Sequence, residues 1–559
     1  MKISKYLIWL ILVSLAALVL HLWKLGSIPP SLNWDEAAWG YNAYSILNTG
    51  RDEYGKLLPF ILKSFGDFKP AFYVYLAVIS VKIFGLNEFA VRFPAAVFGS
   101  LLIFPLFLIV KELFADFKGK LLVAILASFI LAFSPWHYHY SHGAWEGNIL
   151  LFFALLGIWF FLKALRQNNW LFYFSAFSFG VCFYIYQSSK MFIPLIIFGL
   201  LILFFREINK SNNKMILIKS LVLLTIMALP IFSYTFLGNA GGRLKIMSVF
   251  SYPMSVQEKE QIIQEEGKTA PDFTFAVFHG PPHYFLRAVL GRWLNHFSPR
   301  FLFFEGDWTN PRNGVPNAGQ LNHLSILLLP LGVFFLISRK IKNQSLIWYL
   351  LLIAPLPAAL SRDTIQATRS YFMIIPLTII SAFGVYFIWE KLGKANKFIK
   401  AGFLVILTLG YFLSFIYYLD QFFVHAPIQN SSFWQYGYKQ AVQFIDGKEQ
   451  DYQKIIFTQK HGQPYIYYLF YTQYPPQKYQ SQAKLIENTQ GDVGRVERID
   501  NFEFREIYWP ADRQLKNTLF IGGPYELPEQ DIDPKEAKLL KKINFLNGET
   551  AFNIVETIR

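Results

Sequence analysis

Long apolar runs separated by short polar breaks make up most of this chain, and only its last quarter departs from that pattern. Runs of roughly 17–25 apolar residues match the thickness of a bilayer. They predict membrane-spanning helices at about Tyr6–Leu25, Phe93–Val110, Leu121–Ser134, Ile149–Leu162, Leu171–Tyr186, Met191–Phe205 and Ser220–Phe236. Four more follow at His323–Ile337, Leu346–Leu360, Tyr371–Trp389 and Ala401–Tyr418. Another run, Ala71–Leu86, is interrupted by Lys82 and rich in Tyr. It reads either as a span or as an amphipathic helix lying in the membrane interface.

The placement of basic residues decides between those two readings. With Ala71–Leu86 in the interface, loops rich in Lys and Arg, such as Arg206–Lys219 and Arg339–Lys342, fall on one side together with Lys2 and Lys5. The opposite short loops hold only Lys190, Arg362 and Arg369. Basic loops stay in the cytoplasm, so the pattern predicts about eleven spans. The outer side then receives the loop 26–91, a short loop 136–148, a long loop 238–322 and everything after residue 420. Met1–Leu25 reads as the first span rather than a cleaved signal, being too long and lacking a small-residue cleavage site. Within 420–559, stretches such as Trp434–Ile445, Lys454–Thr458, Leu519–Gly522 and Ala551–Glu556 alternate helical and extended patterns. The expected architecture is therefore a polytopic α-helical membrane protein, 1–419, with a C-terminal extracytoplasmic α/β domain, 420–559. The charged stretch Gln257–Lys268 reads as a helix or lid.

Composition changes little in this picture. The 559 residues are 54% hydrophobic and 18% aromatic, above a soluble globular protein. The net charge of +15 would suggest nucleic acid in a soluble chain. Here cytoplasmic loops account for it, and no nucleic-acid partner is expected. The one cysteine, Cys182, lies in an apolar run and excludes an intrachain disulfide.

Candidate chemistry concentrates just after the first span, in Leu32-Asn33-Trp34-Asp35-Glu36-Ala37-Ala38-Trp39-Gly40. Two carboxylates at the edge of a membrane are costly unless used. One can be explained as a helix cap by Asn33 or Asp35; two cannot. Lys69, before Pro70, is suited to a phosphate oxygen or to snorkelling. His137, His139 and His142 raise a zinc site by residue type, although their spacing is weak evidence. Arg362 and Arg369 flank a short outer loop and read equally as phosphate grips or membrane-edge residues.

The ordered set Asp35, Glu36, Lys69, Pro70, Phe84, Gly85, Glu88 and Arg92 resembles the glycosyltransferase C superfamily, in its protein O-mannosyltransferase and aminoarabinose transferase branch. The resemblance covers about the first hundred residues by motif and the remaining spans by layout. It implies an inverting transfer of a sugar from a polyprenyl-phosphate carrier to an acceptor protein, lipid or glycan. It makes Asp35 the base or the group that holds the acceptor, and Lys69 the donor-phosphate residue; beside it, Glu36 reads as support for Asp35 and Arg369 as a second phosphate contact. It also implies substrate-binding roles for Glu146, where relatives more often carry Asp, and for Asp307 and Arg312, for which an internal salt bridge is the alternative. A divalent metal held by Glu146 and Asp35 stays open. The implied setting is the plasma (inner) membrane of a prokaryote, with the site facing out. A transporter or flippase is the rival reading; it predicts paired halves with broken helices, and no internal repeat is visible.

Overall fold

The computed structural model describes residues 5–167, 169–210, 214–237, 246–394, 396–486 and 494–558. Lys2 and the first residues of the long loop, 238–245, lie outside them. Each of the eleven expected spans has a helix at its place. Among the described residues six helices are long and apolar enough to cross a membrane: α1 (Lys5–Leu22), Glu88–Leu113, α8 (Gly147–Arg166), Lys214–Phe236, Tyr371–Lys391 and Lys397–Gln429. Others are shorter, among them Leu171–Cys182, Ser189–Leu203, Ser325–Arg339 and Gln344–Ala359. Helix α6 (Lys120–Ala132) and the short α7 (Pro135–Ser141) form one run bent by 56°. The helices form a bundle that carries a C-terminal sheet.

Helix α3 (Phe72–Phe84) is the run with two readings. Its 13 residues extend about 20 Å, short of the ~30 Å hydrocarbon core. It packs on α2 (Trp34–Thr49) and α4 (Glu88–Leu101) through Tyr73, Val74, Ala77 and Val81. Ile79 and Ile83 point away from the protein. One apolar face is thus covered by protein and the other is bare.

Before α3 the sequence reads as loop, but the backbone forms a hairpin, β1 (Ile61–Ser64) with β2 (Asp67–Pro70), pairing Leu62 with Lys69. Phe65 and Gly66 make its two-residue turn, at φ 54° and 83°, the left-handed geometry that tight hairpins require. Gln187 donates to the Phe68 carbonyl and so ties β2 to the bundle.

The C-terminal region contains a six-stranded sheet in the order β6-β7-β3-β8-β10-β9. Its strands are β3 (Lys454–Phe457), β6 (Arg498–Ile499), β7 (Phe502–Phe504), β8 (Thr518–Gly522), β9 (Ala537–Asn544) and β10 (Thr550–Thr557). A separate two-stranded ribbon pairs β4 (Leu485–Ile486) with β5 (Arg495–Val496). In the sheet β3 runs parallel to β7 and β8, and the other pairs are antiparallel. This unit does not hang free. Its helix Pro464–Tyr471 lies on α2, close enough that a Cβ on Gly40 would sit 2.4 Å from Phe470 and 2.6 Å from Val91. The Tyr467 hydroxyl donates to the Leu32 carbonyl at 3.1 Å, and Tyr41 donates to the Tyr474 carbonyl at 3.0 Å. Lys439 pairs with Glu88 at 2.6 Å. The helix carrying the acidic pair is thus held between membrane bundle and sheet.

Candidate functional site

Helix α2 starts where Asn33 caps it. The Asn33 side chain accepts from the Asp35 and Glu36 amides at 2.9 and 3.1 Å, and Glu36 accepts from the Asn33 amide at 3.1 Å. This reciprocal capping box answers the helix-cap question: Asn33 is the cap, and Asp35 is left with another task. Both carboxylates stand in the first turn, where the helix dipole favours negative charge.

Their surroundings then diverge. Glu36 is 1% exposed. Arg92 of α4 grips it bidentately, at 3.0 Å to Oε1 and 3.1 Å to Oε2, and the Ala144 amide donates to Oε1 at 2.8 Å. The same guanidinium donates to the carbonyls of Leu25, Pro29 and Ser31 at 2.7–3.1 Å. One buried cation therefore fixes the linker from α1, the start of α2 and the segment before α8. Asp35 instead keeps its side chain 33% exposed and pairs with the ammonium of Lys69, whose own side chain is 11% exposed. Lys69 also lies over the Phe65 ring at 5.5 Å. The hairpin thus delivers a lysine, 34 positions along the chain, to the mouth of α2.

Glu146, just before α8, is buried and within the electrostatic reach of both Lys69 and Asp35. Burial pushes its carboxyl up to about 8, so it is neutral near pH 7. These three expected residues converge. Arg369 lies further along: it pairs with Asp363 at 2.7 Å and stands beside Tyr186, which in turn feels Glu146.

Asp307 and Arg312 form no pair. Asp307 is 3% exposed. It accepts from the Thr309 hydroxyl at 2.9 Å, the Asn310 amide at 3.1 Å, the Asn313 side chain at 3.2 Å and the Ala367 amide at 2.9 Å. It organises its own turn and ties that turn to the 361–370 loop. Arg312 stacks its guanidinium over Trp34 at 5.4 Å, immediately before Asp35.

The segment expected as a short loop at 136–148 is instead helical over α7 and buried throughout Pro135–Ser141. His137 meets the Gly99 carbonyl at 3.1 Å, His139 the Arg312 carbonyl at 2.7 Å and His142 the Trp23 carbonyl at 3.0 Å. The three rings serve three separate backbone groups. Among the described residues no group of three or more His, Cys, Asp or Glu is arranged to hold a metal.

Two residues near the site carry no signal in the sequence. Glu53, in the loop after α2, is fully buried and also within the field of Lys69. Lys190 donates to Gln187 at 2.5 Å and to Thr235 at 2.8 Å, on the same corner that holds β2.

The sequence profile of the dolichyl-phosphate-mannose-protein mannosyltransferase family matches residues 68–234. That stretch begins at the strand bearing Lys69 and includes Glu146. Among solved structures, ArnT from Cupriavidus metallidurans in the apo state aligns over 99% of this chain and 98% of its own, at 12% identity and a TM-score of 0.53. The same protein bound to undecaprenyl phosphate aligns over 98% of each chain, again at 12% identity and 0.53. No curated protein sequence matches this one. At such identity the likeness concerns fold, and it spans membrane bundle and C-terminal sheet together.

Proposed function

We propose that this chain is an inverting membrane glycosyltransferase. It moves a sugar from a polyprenyl-phosphate carrier to an acceptor hydroxyl on the outer face of the membrane. The observation that carries the reading is the contact between Asp35 and Lys69, a carboxylate and an ammonium brought together at the exposed end of α2. The profile match and the whole-length fold likeness to a protein solved with undecaprenyl phosphate support it.

The two charges neutralise each other. The Lys69 end of the pair is buried and the Asp35 end one-third exposed, so a phosphate arriving from the open side can take the place of Asp35 as the counter-charge of Lys69. Asp35, released, then accepts the proton of the acceptor hydroxyl. The acceptor oxygen attacks the anomeric carbon opposite the phosphate, the bond to phosphate breaks, and Lys69 receives the departing charge. Glu36 is assigned to positioning: with both oxygens engaged by Arg92, Asn33 and Ala144, it holds the helix turn that aims Asp35. Arg312, over Trp34, borders the acceptor side. Arg369 is placed as an outlying contact, already neutralised by Asp363.

The test is mass spectrometry of lipid-linked sugars and surface glycans in cells lacking the protein. The reading expects one polyprenyl-phospho-sugar to accumulate, and a wild-type copy but not Asp35→Asn to clear it. An unchanged lipid profile, or full rescue by Asp35→Asn, refutes the proposal.

A further inference from the structure

Glu53 is a buried acid with no assigned task. Asn42 of α2 holds it from two directions: its side-chain amide donates to Oε1 at 3.1 Å, and its carbonyl oxygen accepts from the Glu53 backbone amide at 3.0 Å. The other oxygen accepts from the Tyr465 hydroxyl at 3.5 Å. Tyr465 belongs to the C-terminal helix on α2, and its ring meets Phe65 edge-on at 6.0 Å. Phe65 is the ring beneath the Lys69 ammonium. Its carbonyl accepts from the Gly494 amide at 2.5 Å. The C-terminal unit therefore touches the hairpin that carries Lys69, at the Phe65 ring and carbonyl, and the Glu53 carboxyl, which lies within the field of Lys69.

We propose that Glu53 and Tyr465 are positioning residues through which the C-terminal unit sets how many negative charges Lys69 faces when a donor phosphate arrives. This rests on Lys69 being the donor-phosphate residue. Burial pushes the Glu53 carboxyl up to about 8, so near pH 7 it is neutral and leaves Lys69 to Asp35 and then to phosphate. Once ionised, it adds a second carboxylate to the field of Lys69 and works against an arriving anion. The groups facing it are Tyr41 from α2, Asp52 and Tyr54 from its own loop, Lys69 from the hairpin, and Tyr465 and Tyr479 from the C-terminal helices. Burial raises all four tyrosines, which stay neutral over this range. Glu146 is the other buried acid in the field of Lys69 and titrates near the same pH, so the test compares slopes rather than absolute values.

The measurement is the affinity of the full-length protein in detergent micelles for undecaprenyl phosphate, from about pH 7 to about pH 9. A site that binds only with Glu53 protonated weakens about tenfold per pH unit above that group's value. Glu53→Gln, which cannot ionise, is expected to remove about one such factor at the alkaline end while the contribution of Glu146 remains. A Glu53→Gln profile as steep as the parent's overturns the proposal. Tyr465→Phe removes a hydroxyl that favours the ionised carboxyl, so the midpoint is expected to move to higher pH; an unmoved midpoint overturns the role of Tyr465. If the parent binds no undecaprenyl phosphate near pH 7, the donor reading itself fails, whereas binding with unchanged slopes sinks only the role of Glu53.

Discussion

Asp35 and Glu36 are neighbours on one helical turn, and each meets a cation, yet the two pairs have little else in common. Asp35 and Lys69 sit at an edge, the carboxylate one-third exposed. Glu36 and Arg92 are sealed, at 1% and 0% exposure, and five further hydrogen bonds surround them. In the edge pair only the carboxylate is open to an incoming group, while the ammonium is buried beneath it. A buried pair loses about 3–5 kcal/mol if one partner is removed, because the other is left charged in a dry interior. On the proposed function the contrast separates a reagent from a fastening. Adjacent acids in sequence carry no such distinction; the partners arriving from elsewhere make it.

The sharpest way to break this contrast is at Asp35. Asp35→Asn keeps the shape and removes the base. Turnover is expected to fall about 10²- to 10⁴-fold, with the melting temperature nearly unmoved, read by a transfer assay and a thermal scan on the same preparation. A comparable loss of stability would place Asp35 with the fastenings. Arg92→Ala is the converse. It should cost about 3–5 kcal/mol of stability, seen as a lowered melting temperature or loss of folded protein. An Arg92→Ala protein of parental stability would mean that Glu36 is not held as described.

How far the sequence revealed this site follows from the range of each interaction. Asp35 and Lys69, which the structure brings into contact, both stand out in the sequence because each lies at a membrane edge in an ordered motif. The capping box was visible in principle, being local: Asn33 and Glu36 are three residues apart. The fate of Glu36 was not, since it depends on Arg92, 56 positions on, in what reads as plain membrane helix. The hairpin was missed because its turn is Phe65-Gly66 rather than the Asn-Gly or Asp-Gly that announces one, and its strands are only four residues each. Burial of α7 was missed because aromatic and His residues suit an interface and a core equally. The apolar helices were legible, since bilayer thickness imposes a length on sequence, and six among the described residues reach that length; the docking of the sheet onto α2 leaves no such trace.

Lys69→Met tests the edge pair from its other side. It keeps length and loses charge, so one charge-assisted bond to phosphate, worth about 1.5–3 kcal/mol, should disappear. Affinity for undecaprenyl phosphate is expected to drop about tenfold to a hundredfold by that arithmetic. The melting temperature should change little, since Asp35, left without its partner, is one-third exposed to water. Unaltered affinity would move the phosphate to another cation, with Lys190 and Arg369 the nearest to examine.

The smallest expected effect is at Asp307, and it asks whether the contrast extends beyond α2. The short acid stands two and three residues before Thr309 and Asn310, whose amides it accepts at 3.3 and 3.1 Å, the signature of an Asx turn. A sugar-binding carboxylate must keep an oxygen for its ligand. Asp307 instead divides both oxygens among four residues of its own chain. Asp307→Asn replaces one acceptor by a donor facing an existing N–H, so it should cost about 1–3 kcal/mol of stability and leave the donor KM near the parental value in the protein that folds. Thermal scans and donor titrations separate the outcomes. A raised donor KM at parental stability would return Asp307 to the sugar pocket, and burial with full hydrogen bonding would no longer suffice to tell fastenings from reagents in this chain.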